Sequence, residues 1–538
     1  MRKPAFYLFS LCSLFCLSAN AQSPGAVIDV QHYGFNIQLN DKNDTIKGQA
    51  EISLRYLKDA GSIQINLVKQ KADGKGMLVS DITENGKSVS FQQSADDLII
   101  INQAKAGTKH NYIIAYSGIP ADGLIISTNK FGHRTFFGDN WPNRAHNWLP
   151  CVDEPADKAT VDFIVTAPDH YQVVANGLKV DEKALPDDLK LTHWSEKAQC
   201  PTKVMVIGVA DFAIDHTGDV NKIPVYTYVF PENKDKGFAS YAVAKGILAY
   251  YIGRVGPYAF EKLANVQSKT IFGGMENSSC IFYFEESVGD RGIEELMAHE
   301  IAHQWFGDAA SETNFSHLWL SEGFATYMTN VYLEHKYGTD TLKKRLKADR
   351  ETVFDFEKKR KTPVVDTTVH NNYMVLLNAN SYQKGGWVLH MLRRKLGDAA
   401  YWKGIRSYYK KYDGKNANTE NLRAELERAS KQNLEQFFSE WIYTSGAPHL
   451  KYGWLYDEKK KVLDITIVQE QIHPFEFPLQ IMIGNKTQTF RLKDKMSHFE
   501  ISMPLKPKQI LIDPNVNLLA QFEQVNYVQI MLENRSPF

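Results

Sequence analysis

The sequence predicts a multidomain α+β protein: a β-rich N-terminal domain, a mixed α/β middle rich in helices, and a small C-terminal β-sandwich. Three observations carry this. The length of 538 residues exceeds the roughly 100–200 of one ordinary domain. Short segments of alternating polarity dominate the two ends of the chain, and helical periodicity dominates its centre. Composition fits a folded chain throughout, with 43% hydrophobic, 12% aromatic and 23% charged residues. Lys+Arg and Asp+Glu both number 62, so no basic field gathers nucleic acid and partners are recognised locally.

The first 22 residues, MRKPAFYLFSLCSLFCLSANAQ, set Arg2 and Lys3 before an apolar run from Ala5 to Leu17 and then Ala19-Asn20-Ala21. This pattern predicts a secretory signal peptide over 1–21 and an exported protein, periplasmic or extracellular. A membrane anchor is the alternative, but the run is shorter than the roughly 20 residues that a span needs. No later segment is long and apolar enough to span a bilayer. Phe15 before Cys16 argues against lipid attachment at that cysteine. Removal of the signal leaves Cys151, Cys200 and Cys280, too few for a disulfide framework. Whether Cys151 and Cys200 pair stays open, with buried thiols as the simpler alternative.

Segments such as HYGFNIQLN, QAEISLRYL and NYIIAYSG, with turn dipeptides such as Asn85-Gly86, mark residues 22–221 as the β-rich domain. Residues 222–449 add helical stretches, including IEELMAHEIAHQWFG and LWLSEGFATYMTNVYLEHKYG. From 450 to 538 strands return, as in KVLDITIVQ and PLQIMIG, and read as a β-sandwich.

The central helix carries His299-Glu300-Ile301-Ala302-His303. Residues four apart on a helix lie one turn above each other, so the two imidazoles can meet one ion. Ile293, Met297, Ile301 and Trp305 form an apolar stripe that would bury the helix and hold it rigidly. Glu300 is placed to reach a water at the metal rather than the metal itself. A catalytic zinc needs a third protein ligand and an open position. Glu322 in WLSEGFA supplies one, with eighteen residues between it and His303 (322 − 303 = 19), enough for a loop and the start of an antiparallel helix. The alternative is two satisfied histidines and an ordinary surface carboxylate.

With these motifs in place the chain resembles the zinc aminopeptidases that include aminopeptidase N and the leukotriene hydrolase/aminopeptidase. GGMEN, Gly273 to Asn277, matches that family's exopeptidase signature, with Glu276 lying 23 residues before the first histidine (299 − 276). LPCVDEPADKATVDFIVTAP, SYQKGGWVLHML and FFSEWIYTSGAPHL extend the likeness over most of the chain. The resemblance implies a thermolysin-like catalytic domain, one zinc per chain on His299, His303 and Glu322, and Glu300 as general base. It makes Tyr382 the donor to the developing oxyanion. It also implies that Glu276 binds the substrate's α-ammonium, with Gly273, Gly274 and Met275 along the peptide. Peptides with a free N-terminus are then the substrates.

Two departures accompany the likeness. Where the leukotriene hydrolase branch has a glutamine at the substrate amine, this chain has Trp141 in GDNWPNRAHNW, so that contact is unassigned and Trp141 or Asn140 shapes the pocket at most. About ninety residues follow the catalytic region, room for a small β-domain but not for the family's helical cap, so what closes the cleft is open. Two further functions share the motifs: a lipid-epoxide hydrolase on the same metal site, and a peptide-binding protein without turnover. The Asn277-Ser278-Ser279 sequon is read as accidental, because a glycan there would block the site.

Overall fold

A computed structural model describes residues 24–533. The signal-peptide segment 1–21 lies outside the described residues. Among the described residues no helix is long and apolar enough to cross a membrane.

The N-terminal region is built on an eight-stranded sheet with Ile28–Gln38, Ile46–Tyr56, Lys109–Ile119 and Lys158–Pro168 at its centre. Its pairings are antiparallel except for Ile28–Gln38 beside Lys158–Pro168, which run parallel. Alternation along these strands, such as buried Tyr33, Phe35 and Ile37, turns one face into the core. A four-stranded sheet, in the order Gln172–Ala175, Ile207–Ala210, Arg134–Gly138, Leu124–Thr128, and a three-stranded one complete it. Cys151, Cys200 and Cys280 are all free, buried thiols.

A five-stranded sheet follows, ordered Ala213–Val220, Ile223–Val229, Leu263–Ser268, Cys280–Phe284, Gly274–Met275. The border at 221/222 drawn from sequence falls in the turn of its first hairpin, so the strand over 213–220 belongs to this sheet rather than to the β-rich domain. Both faces of the sheet are covered, as its parallel centre requires. Ile281 and Tyr283 pack toward the helices, whereas Cys280 and Phe282 pack into the core of the N-terminal region.

The helices of the middle region include α1 (Lys234–Tyr241), α2 (Ala244–Arg254), α3 (Ile293–His303), α4 (Trp319–Tyr337), α5 (Thr339–Glu357), α6 (Gly385–Leu396), α7 (Asp398–Tyr412) and α8 (Thr419–Ser430). On α3, Ile293, Met297 and Ile301 are buried, and Trp305 just beyond it stacks edgewise on Tyr251. Every residue of α4 from Trp319 to Leu333 is buried. The C-terminal region forms two facing sheets, one of four strands around His449–Asp457 and Val462–Gln469, the other of three around Phe477–Ile483. Its apolar faces share one continuous core with the helices, so it docks without a separate linker.

The N-terminal and helical regions are joined by buried polar contacts. Lys203 donates to Glu312 at 2.5 Å, and both side chains are at most 2% exposed. Lys158 donates to the carbonyls of Asp308 and Ala309 at 2.9 and 2.7 Å. Lys203→Ala is expected to destabilise the protein by about 3–5 kcal/mol because it strands the Glu312 carboxylate in the interior, and Lys203→Met with Glu312→Leu to recover most of that loss. Urea unfolding followed by tryptophan fluorescence measures both; equal stability of parent and single variant would remove the pair's role.

Candidate metal centre and active site

Helical spacing does what the sequence leads one to expect. His299 and His303 project from one face of α3 with ring centroids 4.8 Å apart. Glu322, in the first turn of α4, faces them: its Oε2 lies 3.4 Å from Nε2 of His299 and 3.4 Å from Nε2 of His303. A tetrahedral ion with ligand bonds of about 2.1 Å has ligand–ligand edges of about 3.4 Å, which the two edges from Glu322 match. His303 Nδ1 is occupied by Ser321 Oγ at 2.9 Å and the Phe306 carbonyl at 3.2 Å, which leaves Nε2 free to face the centre. Ser321 and Phe306 were not legible as partners of His303, since nothing local in the sequence pairs them with it.

The field also favours a cation here. Burial opposes a charge on His303, but Glu322, Glu276 and Glu300 together outweigh it and raise the imidazole to about 10. Burial pushes the Glu322 carboxyl up, yet the facing imidazoles of His303 and His299 more than offset that and hold it below its ordinary range.

Glu300 is 4% exposed, and its position depends on the edge strand. A Cβ on Gly274 would lie 2.3 Å from Glu300 Oε1, so only glycine lets the strand pass this close to the carboxylate. Burial pushes the Glu300 carboxyl well above its usual value; His303 opposes this and Glu276 adds to it. Glu276 directly follows the same strand, 5% exposed, with Oε1 lacking any hydrogen-bond partner. Burial raises its pKa too, against the opposing field of His303. Ligand atoms of Glu276, Glu300 and His303 lie within 4.8 Å of one another.

Tyr382 comes from a π-helical turn, Asn380–Lys384, ahead of α6, and its ring stacks parallel to that of His299 at 5.9 Å. Two glycines put it there: a Cβ on either Gly323 or Gly385 would approach the other's backbone to 2.9 Å, so α4 and the turn meet main chain to main chain. Lys384, fully buried, donates to the Gly446 carbonyl at 2.7 Å and pins the turn. Burial and then the carboxylates of Glu322, Glu276 and Glu300 raise the phenol well above its ordinary value, so it is a protonated donor.

These residues line one cleft of 280 Å³, walled further by Trp141, Phe272, Leu296 and Leu377. Gly273, Gly274 and Met275 lie along it, Gly274–Met275 as the antiparallel edge strand. Trp141 is buried and packs edgewise on Phe272 and Phe315, each at 6.0 Å, so it shapes the wall. Asn140 turns away, donating to the Met205 carbonyl at 2.6 Å. Asn277 is fully buried, which excludes a glycan on the folded chain.

Residues 29–204 match the Peptidase M1 N-terminal domain, and residues 241–441 match the Peptidase family M1 domain. The chain belongs to peptidase family M1. The M1 relatives include aminopeptidase M1-C of Oryza sativa subsp. japonica, 28% identical over 61% of this chain and 38% of its own length. Probable aminopeptidase 2 of Sulfurisphaera tokodaii is 23% identical over 90% of this chain and 63% of its own. Glutamyl aminopeptidase of Homo sapiens is 26% identical over 80% and 48%. This M1 chain thus spans less than two thirds of the length of these relatives.

Gly274→Ala is expected to cost about 1–3 kcal/mol through the clash with Glu300, while leaving the His299, His303 and Glu322 donors in place. Calorimetric unfolding together with metal titration of the variant checks this, and loss of metal affinity in step with stability would contradict it.

Proposed function

We propose that the chain is an exported zinc aminopeptidase, binding one zinc through His299, His303 and Glu322 and cleaving the N-terminal residue from peptides with a free amino terminus. The observation that carries this reading is the unpartnered, buried Oε1 of Glu276, in the same cleft as the His-His-Glu donor set. A buried carboxylate with an oxygen within 4.8 Å of a ligand atom of His303 suits an ammonium group and limits cleavage to the chain end. The Arg2-Lys3 leader pattern supports export. The donor set of two imidazoles and one carboxylate suits catalytic zinc.

When bound, zinc supplies Lewis acidity at the scissile carbonyl and lowers the pKa of an attached water. The protein's own groups do the rest. Glu300 accepts the proton of the attacking water and returns it to the departing amine. Tyr382 donates its phenolic proton in a hydrogen bond to the oxyanion where that charge develops. Glu276 holds the α-ammonium, and the main chain of Gly273 and Gly274 leaves room for an extended peptide at the sheet edge. Trp141, Phe272 and Leu377 form an apolar wall on the cleft.

Glu300→Gln is expected to retain one zinc per chain and lose turnover, whereas His303→Ala loses both; metal analysis beside an aminoacyl reporter assay reads them. Near-parental turnover in zinc-loaded Glu300→Gln would eliminate Glu300 as the base.

The aminopeptidase reading itself is tested at Glu276. Removing one partner of a buried charge pair costs about 2–5 kcal/mol, so Glu276→Ala is expected to lose roughly thirty-fold or more in kcat/KM on free-amine substrates. Zinc content stays normal, and N-acetylated peptides remain poor substrates for both proteins. Equal relative preference for free and N-acetylated peptides in parent and variant would point to an endopeptidase.

A further inference from the structure

Glu276 stands where the secondary structure gives out. The edge strand that delivers it pairs with its neighbour at only two positions, Gly274 with Tyr283 and Met275 with Phe282. Beyond Met275 the chain leaves the ladder, and Ser279 takes a left-handed φ of +60°, unusual for a residue other than glycine. In the Glu276 side chain, the buried Oε1 has no hydrogen-bond partner.

What holds this segment is the residue directly after His303. Gln304, fully buried at the C-terminal end of α3, donates from Nε2 to the Glu276 carbonyl at 2.7 Å. Its Oε1 accepts from the Ser279 backbone N–H at 2.8 Å. One side chain therefore grips both ends of the Glu276–Ser279 segment. Its amide is fixed in this sense: Nε2 also donates to Asp308 Oδ2 at 2.8 Å, and the Tyr258 hydroxyl lies 3.2 Å from Oε1. Rotating the amide would set its NH2 against the Ser279 N–H and its oxygen against the Asp308 carboxylate. From the other side the N-terminal region completes the clamp, with Asn176 donating to the Ser278 carbonyl at 2.6 Å.

We propose that Gln304 is a positioning residue that fixes the Glu276 carboxylate relative to α3, and so sets the distance between the substrate's ammonium group and the scissile bond. This rests on the aminopeptidase reading above. It goes beyond that reading by tying amine recognition to the metal helix through one amide. The two histidines are carried by α3 and Gln304 caps its C-terminal end, so the amine anchor is tied to the same helix as these two donors. A misplacement of about 1 Å at such an anchor can cost about 100-fold in rate.

The test separates amine recognition from the metal. Zinc-loaded parent, Gln304→Met and Gln304→Asn are titrated calorimetrically with two ligands: alanine hydroxamate, which has an α-amine, and acetohydroxamate, which has none. For the variants, alanine hydroxamate is expected to bind roughly 10–100-fold more weakly, with zinc content retained and acetohydroxamate affinity unchanged. Equal loss for both ligands, loss of zinc, or failure of both variants to fold would assign Gln304 to structure alone and overturn the proposal; so would unchanged binding of both ligands. If the parent itself does not distinguish the two hydroxamates, the aminopeptidase reading fails, and the proposal falls with it for a separately recognisable reason.

Discussion

Glu276, Glu300 and Glu322 are each no more than 5% exposed and gather around one pair of imidazoles, an arrangement that desolvation opposes by several kcal/mol per charge unless opposite charge and hydrogen bonds offset it. Much of the surrounding architecture answers that demand. Met297 and Ile301 bury the other side of α3, so the helix cannot swing the imidazoles outward into water. All of α4 from Trp319 to Leu333 is sealed behind Glu322. The carboxylates are thus held together by packing, with His299, His303 and Glu322 grouped as a candidate set of metal donors beside them.

Close approach of main chain is the second requirement. Three elements must come within a few ångströms of the centre, and each does so where a side chain is missing. Gly274 lets the edge strand pass against Glu300, and Gly323 and Gly385 let the turn bearing Tyr382 lie on α4. Tyr382 then faces His299 as a consequence of backbone contact rather than of its own side-chain packing.

The N-terminal region is part of the site and not an appendage. Asp139 accepts from the Thr270 hydroxyl and the Ile271 N–H, each at 3.0 Å, fixing the chain just before GGMEN. Asn176 grips the segment just after it, and Trp141 supplies a wall of the cleft. With the Lys203–Glu312 pair buried between them, the two regions line the cleft together.

By itself the sequence determined the order of β-rich, helical and β-sandwich regions, the His299–His303 pair and the candidacy of Glu322. Each depends on short-range periodicity: alternation along a strand, 3.6 residues per helical turn, and a single loop between two adjacent helices. Glu276, Tyr382 and their proposed roles were legible only through resemblance, since a residue 23 positions before His299 (299 − 276) and a turn far beyond α4 carry no local signal of meeting the helix. The strands on either side of 221/222 pair as one hairpin, which their like alternation did not reveal, because pairing partners decide which sheet owns a strand. Only the tertiary structure brought Gln304 to the Glu276 carbonyl, Ser321 to His303 and Trp141 to the cleft wall. A glutamine, a serine and a tryptophan each have many places to make a hydrogen bond or a contact, and which one is used is set by elements from distant parts of the chain packing together.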